Sequence, residues 1–436
     1  MCIKSKAESQ MLEVLMDKFS CYRDILRHEL VLATGCTEPI AIAYAAALAR
    51  ETLGRRAERL LVRCSGNIVK NVKSVIVPGT GGLRGIEAAA IIGAVGGDPE
   101  GGLNVLGWVT EEHRARTLEL LGEGICEVGL LDSRETLHIV VEAEGAGHTA
   151  SVEIKGSHTN VVSRKLDGAE LAPRRQAGAE ADETGPDYGA LSLDGILDFA
   201  RGTELLEERE LLERQISCNR AIAEEGLRGE WGMNVGRMLL EHGGAGEYSR
   251  AAALAAAGSD ARMGGCLMPV VINSGSGNQG LTVCLPLVAL AEAWGCGEER
   301  LLRALIISNL VSVHVKRHIG RLSAYCGATS ASSGVAAAAT WLRGGSDEQV
   351  CASVVNALAA VSGMICDGAK ASCAAKIAAA LDSALLGHRL AMAGRRYGGG
   401  EGIVAADAEE TIRKVGSLAS RGMAETDREI LRLMLM

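Results

Sequence analysis

Residues 167–193 read DGAELAPRRQAGAEADETGPDYGALSL. The run is charged, contains Pro173 and Pro186, and shows no apolar periodicity of either strand or helix type. Such a stretch is a linker or a long surface loop. This stretch, over 167–195, separates two parts of the chain whose patterns differ in kind. From about residue 57 to 165, RLLVRCS, SVIVPG, TLHIVVEAE and HTASVEIKG read as strands, while GIEAAAIIGAVGG and EEHRARTLELLGEG read as helices between them. From about residue 192 onward the periods are helical, rich in Ala and Leu, and broken only by glycine clusters. The expected class is therefore α+β: an N-terminal α/β part over 1–166, the loop over 167–195, and a larger all-α domain over 196–436.

The start of the chain adds helices to the first part. Met11, Leu12, Leu15, Met16, Phe19, Ile25 and Leu26 recur at helical spacing within 8–32. In the following ATGCTEPIAIAYAAALARETLG, Thr34 or Thr37 suits a helix cap, and Pro39 suits the first turn.

At 436 residues the chain is long enough for more than one core. Aromatic residues are only 3%, so Ala, Leu, Ile and Val must build those cores, and 55 glycines favour close helix packing and backbone near a ligand. Small-residue helices are also suited to packing against a second copy, so a homodimer is allowed but not required. A net charge of −9 argues against nucleic-acid binding. No run reaches the length of a membrane span; CLPLVALAEAWGC is too short and holds Glu292. MCIKSKAESQMLEV lacks the apolar region of an export signal. With thirteen cysteines, an odd number, a disulfide framework is not expected and a reducing cytoplasm is.

Most of these thiols sit in apolar or surface contexts and read as small hydrophobes. Cys284, in LTVCLPL, reads as core too, although it closes a glycine loop. Cys326, Cys366 and Cys373 differ, each lying beside glycine or small polar residues at a helix break, in AYCGATSASSG and MICDGAKASC. On one continuous helix Cys366 and Cys373 would lie about 10 Å apart along the axis. Gly368 suggests instead that the helix begins after Cys366. Spacing alone leaves ligation and packing both open; three thiols without a fourth suit an iron–sulfur cubane with one open iron. Cys36, in TGCTEP, lies at an expected helix N-terminus, where the helix dipole lowers a thiol pKa.

Two glycine-rich loops suit anions. VINSGSGNQGLT offers successive backbone N–H groups beside Asn273, Ser274, Gly275, Ser276, Gly277, Asn278 and Gln279. It lacks the Lys-Ser/Thr ending of a nucleotide loop, and an amino-acid carboxylate is a suitable guest. VPGTGGLRG presents Arg84 as a carboxylate fork or is simply a tight turn. In SVHVKRHIGRLSAYCG, His314 and His318 share a helix side and Lys316 does not, so only part of that basic cluster can face one site.

Together ATGCTEP, PGTGGLRGIEAAAIIG, NSGSGNQG, HVKRHIGRLSAYCGA and ICDGAKASCAAK make the chain resemble the L-cysteine desulfidases, relatives of the iron–sulfur L-serine dehydratases. The motifs run in order over nearly the whole chain. The resemblance implies an oxygen-sensitive [4Fe–4S] cluster held by Cys326, Cys366 and Cys373 in the all-α domain, with no pyridoxal phosphate. It also implies Cys36 as the catalytic base, and L-cysteine split into pyruvate, ammonia and sulfide. Cys284 is a further thiol near the substrate loop that this scheme does not use. An iron–sulfur L-serine dehydratase is the alternative, and a non-catalytic amino-acid-binding protein is the alternative of another class.

Overall fold

The computed structural model describes residues 19–172, 185–244, 246–320 and 322–436. Helix α1 (residues 19–29) is followed by β1 (Leu32–Thr34), α2 (Thr37–Leu53), β2 (Arg59–Cys64), α3 (Gly66–Val72), α4 (Gly85–Gly96) and α5 (Glu111–Glu123). Strands β3 (Cys126–Leu130), β4 (His138–Gly145), β5 (His148–Lys155), β6 (Val161–Leu166) and β7 (Ala169–Glu170) complete a mixed sheet in the order β3-β2-β4-β5-β6-β7. Only β2 and β3 are parallel; the other pairs run antiparallel.

The sheet shows why these segments become strands. Leu60, Val62 and Cys64 pair with Ala143, Val141 and Ile139, which pair in turn with Ala150, Val152 and Ile154. All nine are buried. The alternate positions carry Arg59, Arg63, Glu142 and Glu144, which meet as ion pairs on the open face. A period of two with one face covered is the signature of such a sheet. Helix α2 covers the buried face. From Pro39 to Ala49 it is apolar and buried all round, as a helix between two layers must be. Helix α4 crosses it so closely that a Cβ on Gly93 would overlap the Ala43 backbone.

Several segments depart from their sequence pattern. SVIVPG forms no strand, only an isolated bridge between Ile76 and Arg84, because the glycines at 79, 81 and 82 turn the chain. Strands β3 and β6 and helix α3 are too short and too weakly patterned to stand out. Part of the 167–195 loop is ordered into elements: β7 extends the sheet, residues 188–190 form a 3-10 turn, and a Ser192 cap starts the next helix at Leu193. Residues 8–18 of the first expected helix lie outside the described residues. Its remainder, α1, packs Tyr22, Ile25 and Leu26 with Ile196, Leu197 and Phe199, in the helical core and not on the sheet. Aromatic contacts of Phe199 with Phe19 and Tyr22 fix that docking.

Beyond the loop come α6 (Leu193–Gly202), α7 (Glu208–Arg228), α8 (Val235–His242) and α9 (Glu247–Met263). A short β8 (Pro269–Val271) precedes α10 (Gly277–Ala293), α11 (Glu298–Ile319), α12 (Gly327–Leu342), α13 (Asp347–Val361), α14 (Cys373–Met392), α15 (Ala408–Ser417) and α16 (Ala424–Leu435). Their core is built from Ala, Leu, Ile and Val. Glycines allow near-contact of backbones, as at Gly226 against Ala257 and Gly334 against Ser308. No helix among the described residues is long and apolar enough to cross a membrane.

Several contacts tie the helices to the sheet layer, a strand pair first among them. Strand β1 pairs antiparallel with β8, Leu32 opposite Val271 and Thr34 opposite Pro269. Lys70 of α3 pairs with Asp427 of α16. The first contact matters most, because it sets the N-terminus of α2 beside that of α10.

The helical core also carries a pH-sensitive packing group. His388 of α14 is buried against Tyr248 and Trp294, with Nδ1 2.9 Å from Thr340 Oγ1. Burial, then the Arg343 and Arg389 guanidiniums, push its pKa from 6.5 down to about 4. The folded protein thus holds it neutral while the unfolded chain protonates it. Its contribution is intact above pH 6.5 and is lost as pH falls toward 4, by up to roughly 3 kcal/mol. In urea unfolding between pH 4 and 7, His388→Gln is expected to flatten the acid limb relative to the parent; an identical slope would show that His388 is not responsible.

Candidate active site

The N-termini of α2, α10, α12 and α14 open on one cavity of about 110 Å³. Cys36 is the N-cap of α2, Ser276 of α10 and Cys326 of α12, and none of the three caps its helix through its side chain. Cys373 is the first residue of α14. These four helices run 16 to 20 residues. Four positive dipole ends make the cavity a receptor for anions. Thr37 Oγ1 donates to the Gly275 carbonyl at 3.0 Å and fastens two of these termini together.

Cys36, Cys326, Cys366 and Cys373 all line this cavity. Cys366 arrives from an irregular stretch. Ile365 bridges Tyr325, and the Cys366 N–H donates to Ala324 at 2.5 Å, so the two chain segments bring Cys366 beside Cys326. Gly368 then takes φ +93° and the chain turns into α14. The expectation that Gly368 breaks the helix between the two thiols thus matches the observed path. Asp367 holds the turn by accepting from Lys370 Nζ at 2.6 Å and from Lys376.

The substrate loop divides. Ser276, Asn278 and Gln279 reach the cavity. Asn273 does not: it is fully buried, donating to Asn309 and accepting from Ser312, and so fixes the loop. Ser274, at φ +52°, and Gly275, at φ +75°, form the turn itself. The strand that precedes this loop, β8, belongs to a two-stranded antiparallel ribbon and not to a dinucleotide-binding sheet. Arg84 is placed elsewhere. It is the exposed N-cap of α4, outside the cavity, because the tight-turn reading of VPGTGGLRG is the one the fold adopts. Cys284 is buried in α10 among apolar side chains and does not line the cavity; burial pushes its thiol up to about 12.

Among the described residues, four charged ones on the cavity wall lie outside the expected set: Glu38, Arg262, Lys316 and Lys376. Glu38 was in view within TGCTEP, two residues after Cys36. Arg262 was detectable as a charge in the alanine-rich run AAALAAAGSDARM. Among the described residues of the basic cluster, Lys316 faces the site, whereas His314 points away and pairs with Glu409 at 2.7 Å. Burial lowers the Lys316 pKa to about 8 against the opposing effect of Cys366 and Cys326.

Cys36 differs electrostatically from its expectation. Burial, then the negative charge of Glu38, push its thiol well above 9, and Arg262 only partly counters them. The Glu38 backbone N–H at the helix start does lower it, but burial outweighs that effect. Its Sγ donates to Glu38 Oε2 at 3.0 Å. Burial disfavours the Glu38 carboxylate, but His158, the Cys36 hydrogen bond and Arg262 outweigh this and hold its pKa below 4.5. Asn71 Nδ2 donates to Glu38 Oε1 at 2.9 Å. The resting pair is thus a thiol on a carboxylate.

The donor set fits a multi-iron cluster better than a single ion. Cys326, Cys366 and Cys373 are soft sulfur donors on one cavity. Yet among the described residues no three His, Cys, Asp or Glu side chains converge closely enough to bind one metal ion. Thiolates that each hold a different iron have no need to do so. Lys316 and Lys376 supply positive charge around them.

The chain is similar to known proteins over most of its length. Residues 100–432 match the serine dehydratase alpha chain family. A UPF0597 protein of Lachnoclostridium phytofermentans is 49% identical over 94% of this chain and 98% of its own length. One from Treponema denticola is 46% identical over 96% and 98%, and one from Aeromonas hydrophila is 39% identical over 95% and 98%. With a match across three quarters of its length and relatives of this similarity end to end, the chain belongs to the serine dehydratase alpha chain family.

Proposed function

We propose that the protein is an iron–sulfur lyase that splits L-cysteine and water into pyruvate, ammonia and sulfide by β-elimination. The observation that carries the reading is the convergence of Cys36, Cys326, Cys366 and Cys373 on one cavity ringed by helix N-termini. The serine dehydratase family supports elimination from a small amino acid. The five desulfidase-like motifs support sulfur as the leaving group. L-serine, losing its hydroxyl, is the second reading, and it is the family name that favours it.

Cys326, Cys366 and Cys373 would hold a [4Fe–4S] cluster. When bound, the cluster supplies a Lewis-acidic iron for the β-substituent. The protein's own groups do the rest. The N–H groups at the start of α10, with Ser276 and Asn278, hold the substrate so that its Cα–H faces Cys36. The Cys36 proton passes to Glu38 Oε2, and the freed Sγ accepts the Cα proton. Asn71, on the other Glu38 oxygen, keeps the carboxylate aimed at the thiol. The aminoacrylate that leaves tautomerises and hydrolyses in water.

The deciding assay is pyruvate release by anaerobically reconstituted protein given L-cysteine or L-serine. Pyruvate with equimolar sulfide, and little pyruvate from L-serine, is the expected result. A preference for L-serine would overturn the leaving group. No product from either, at full iron content, would leave an amino-acid-binding protein.

A further inference from the structure

Arg262 stands in the last turn of α9, on the cavity wall, and only 2% of its surface is exposed. Among the described residues its guanidinium makes one hydrogen bond, from Nη1 to Asn278 Oδ1 at 3.1 Å. Nε is buried without a partner. Among the described residues no carboxylate forms an ion pair with it. Glu38 is the acid whose charge couples to it, but both Glu38 oxygens are engaged, by Asn71 on one side and by Cys36 and Thr37 on the other.

The fold makes deliberate room for this cation. Gly277 is the first residue of α10, and a Cβ there would overlap Arg262 Nε and Cζ. The glycine of NSGSGNQG therefore lets a guanidinium approach a helix N-terminus closely. Two positive groups in contact and out of water are unfavourable unless an anion joins them. The donor pattern, a planar fork with free N–H beside backbone amides, matches a carboxylate.

We propose that Arg262, seated by Gly277, is the receptor for the α-carboxylate of the substrate and makes the site select α-amino acids over the corresponding amines. The inference rests on the lyase reading only in taking the guest to be an amino acid. The test therefore measures binding without turnover. L-alanine carries the carboxylate and has no leaving group; L-alaninol lacks the carboxylate. Calorimetry on the cluster-loaded protein is expected to detect L-alanine and not L-alaninol. Arg262→Gln should weaken L-alanine at least tenfold, and Arg262→Lys should recover part of the loss.

Gly277→Ala keeps the arginine but displaces it, and should show the same loss. Iron content and circular dichroism separate these effects from unfolding. Unchanged L-alanine affinity in a folded Arg262→Gln or Gly277→Ala protein would overturn the proposal, as would equal binding of L-alaninol or no binding of L-alanine by the parent. A protein that binds L-alanine through Arg262 but releases no pyruvate would sink the lyase reading and leave the receptor standing.

Discussion

Cys36→Ser is expected to keep its iron and lose turnover by about 10²- to 10⁴-fold, the range typical of removing a positioned acid or base. Cys36 has 3% of its surface exposed, and its thiol is pushed well above 9, so it is a neutral donor at physiological pH. It becomes a base only by surrendering its proton, and Glu38 Oε2, at 3.0 Å, is the acceptor in reach. A serine hydroxyl fits the space but yields its proton far less readily. Glu38→Gln should produce a loss of similar size for the complementary reason, since an amide oxygen accepts the hydrogen bond and cannot take the proton. Neither residue is among the three proposed ligands, so iron per chain should match the parent in both variants. Full pyruvate release by iron-replete Glu38→Gln would remove the carboxylate from the mechanism, and the same outcome in Cys36→Ser would remove the thiol.

What the sequence made legible follows from the range of the interactions. Strands β2, β4 and β5 and helices α4 and α5 each carry their own periodicity, so local pattern sufficed. The change from mixed to helical structure after the charged loop was visible for the same reason. The small-residue composition anticipated the close approaches at Gly93, Gly226 and Gly334. The ribbon of β1 with β8 was not legible, because three-residue strands have no period and their partners lie more than 230 positions apart. That ribbon is what brings TGCTEP to NSGSGNQG.

The same limit explains the misplaced site residues. Arg84 and Arg262 both sit within two residues of a glycine, and only the fold shows which one reaches the cavity. Helical phase separated Lys316 from His314 correctly but gave no sign of which face met the site. The sign of the Cys36 shift needed its burial, which a helix-terminus argument does not contain.

Removing a ligand should have the plainest effect. Cys366→Ala is expected to abolish iron binding under anaerobic reconstitution, whereas Cys284→Ala, in the core of α10, should retain the full complement. The sharper experiment leaves every thiol in place. Gly368 takes φ +93° between Cys366 and Cys373, a conformation that costs a residue with a side chain about 1–2 kcal/mol. A Cβ there would also overlap the Lys70 carbonyl of α3. Overpacking of that kind typically adds about 1–3 kcal/mol. The backbone carbonyl has little freedom, because Lys70 is itself held by Asp427 of α16. In Gly368→Ala the turn must therefore move, and Cys366 and Cys373 move with it. Iron per chain is expected to fall below half that of the parent, with a matching loss of visible charge-transfer absorption. Gly363→Ala is the control, since nothing lies within 4 Å of its added methyl. Full iron in a folded Gly368→Ala protein would mean that this turn does not set the spacing of the thiols.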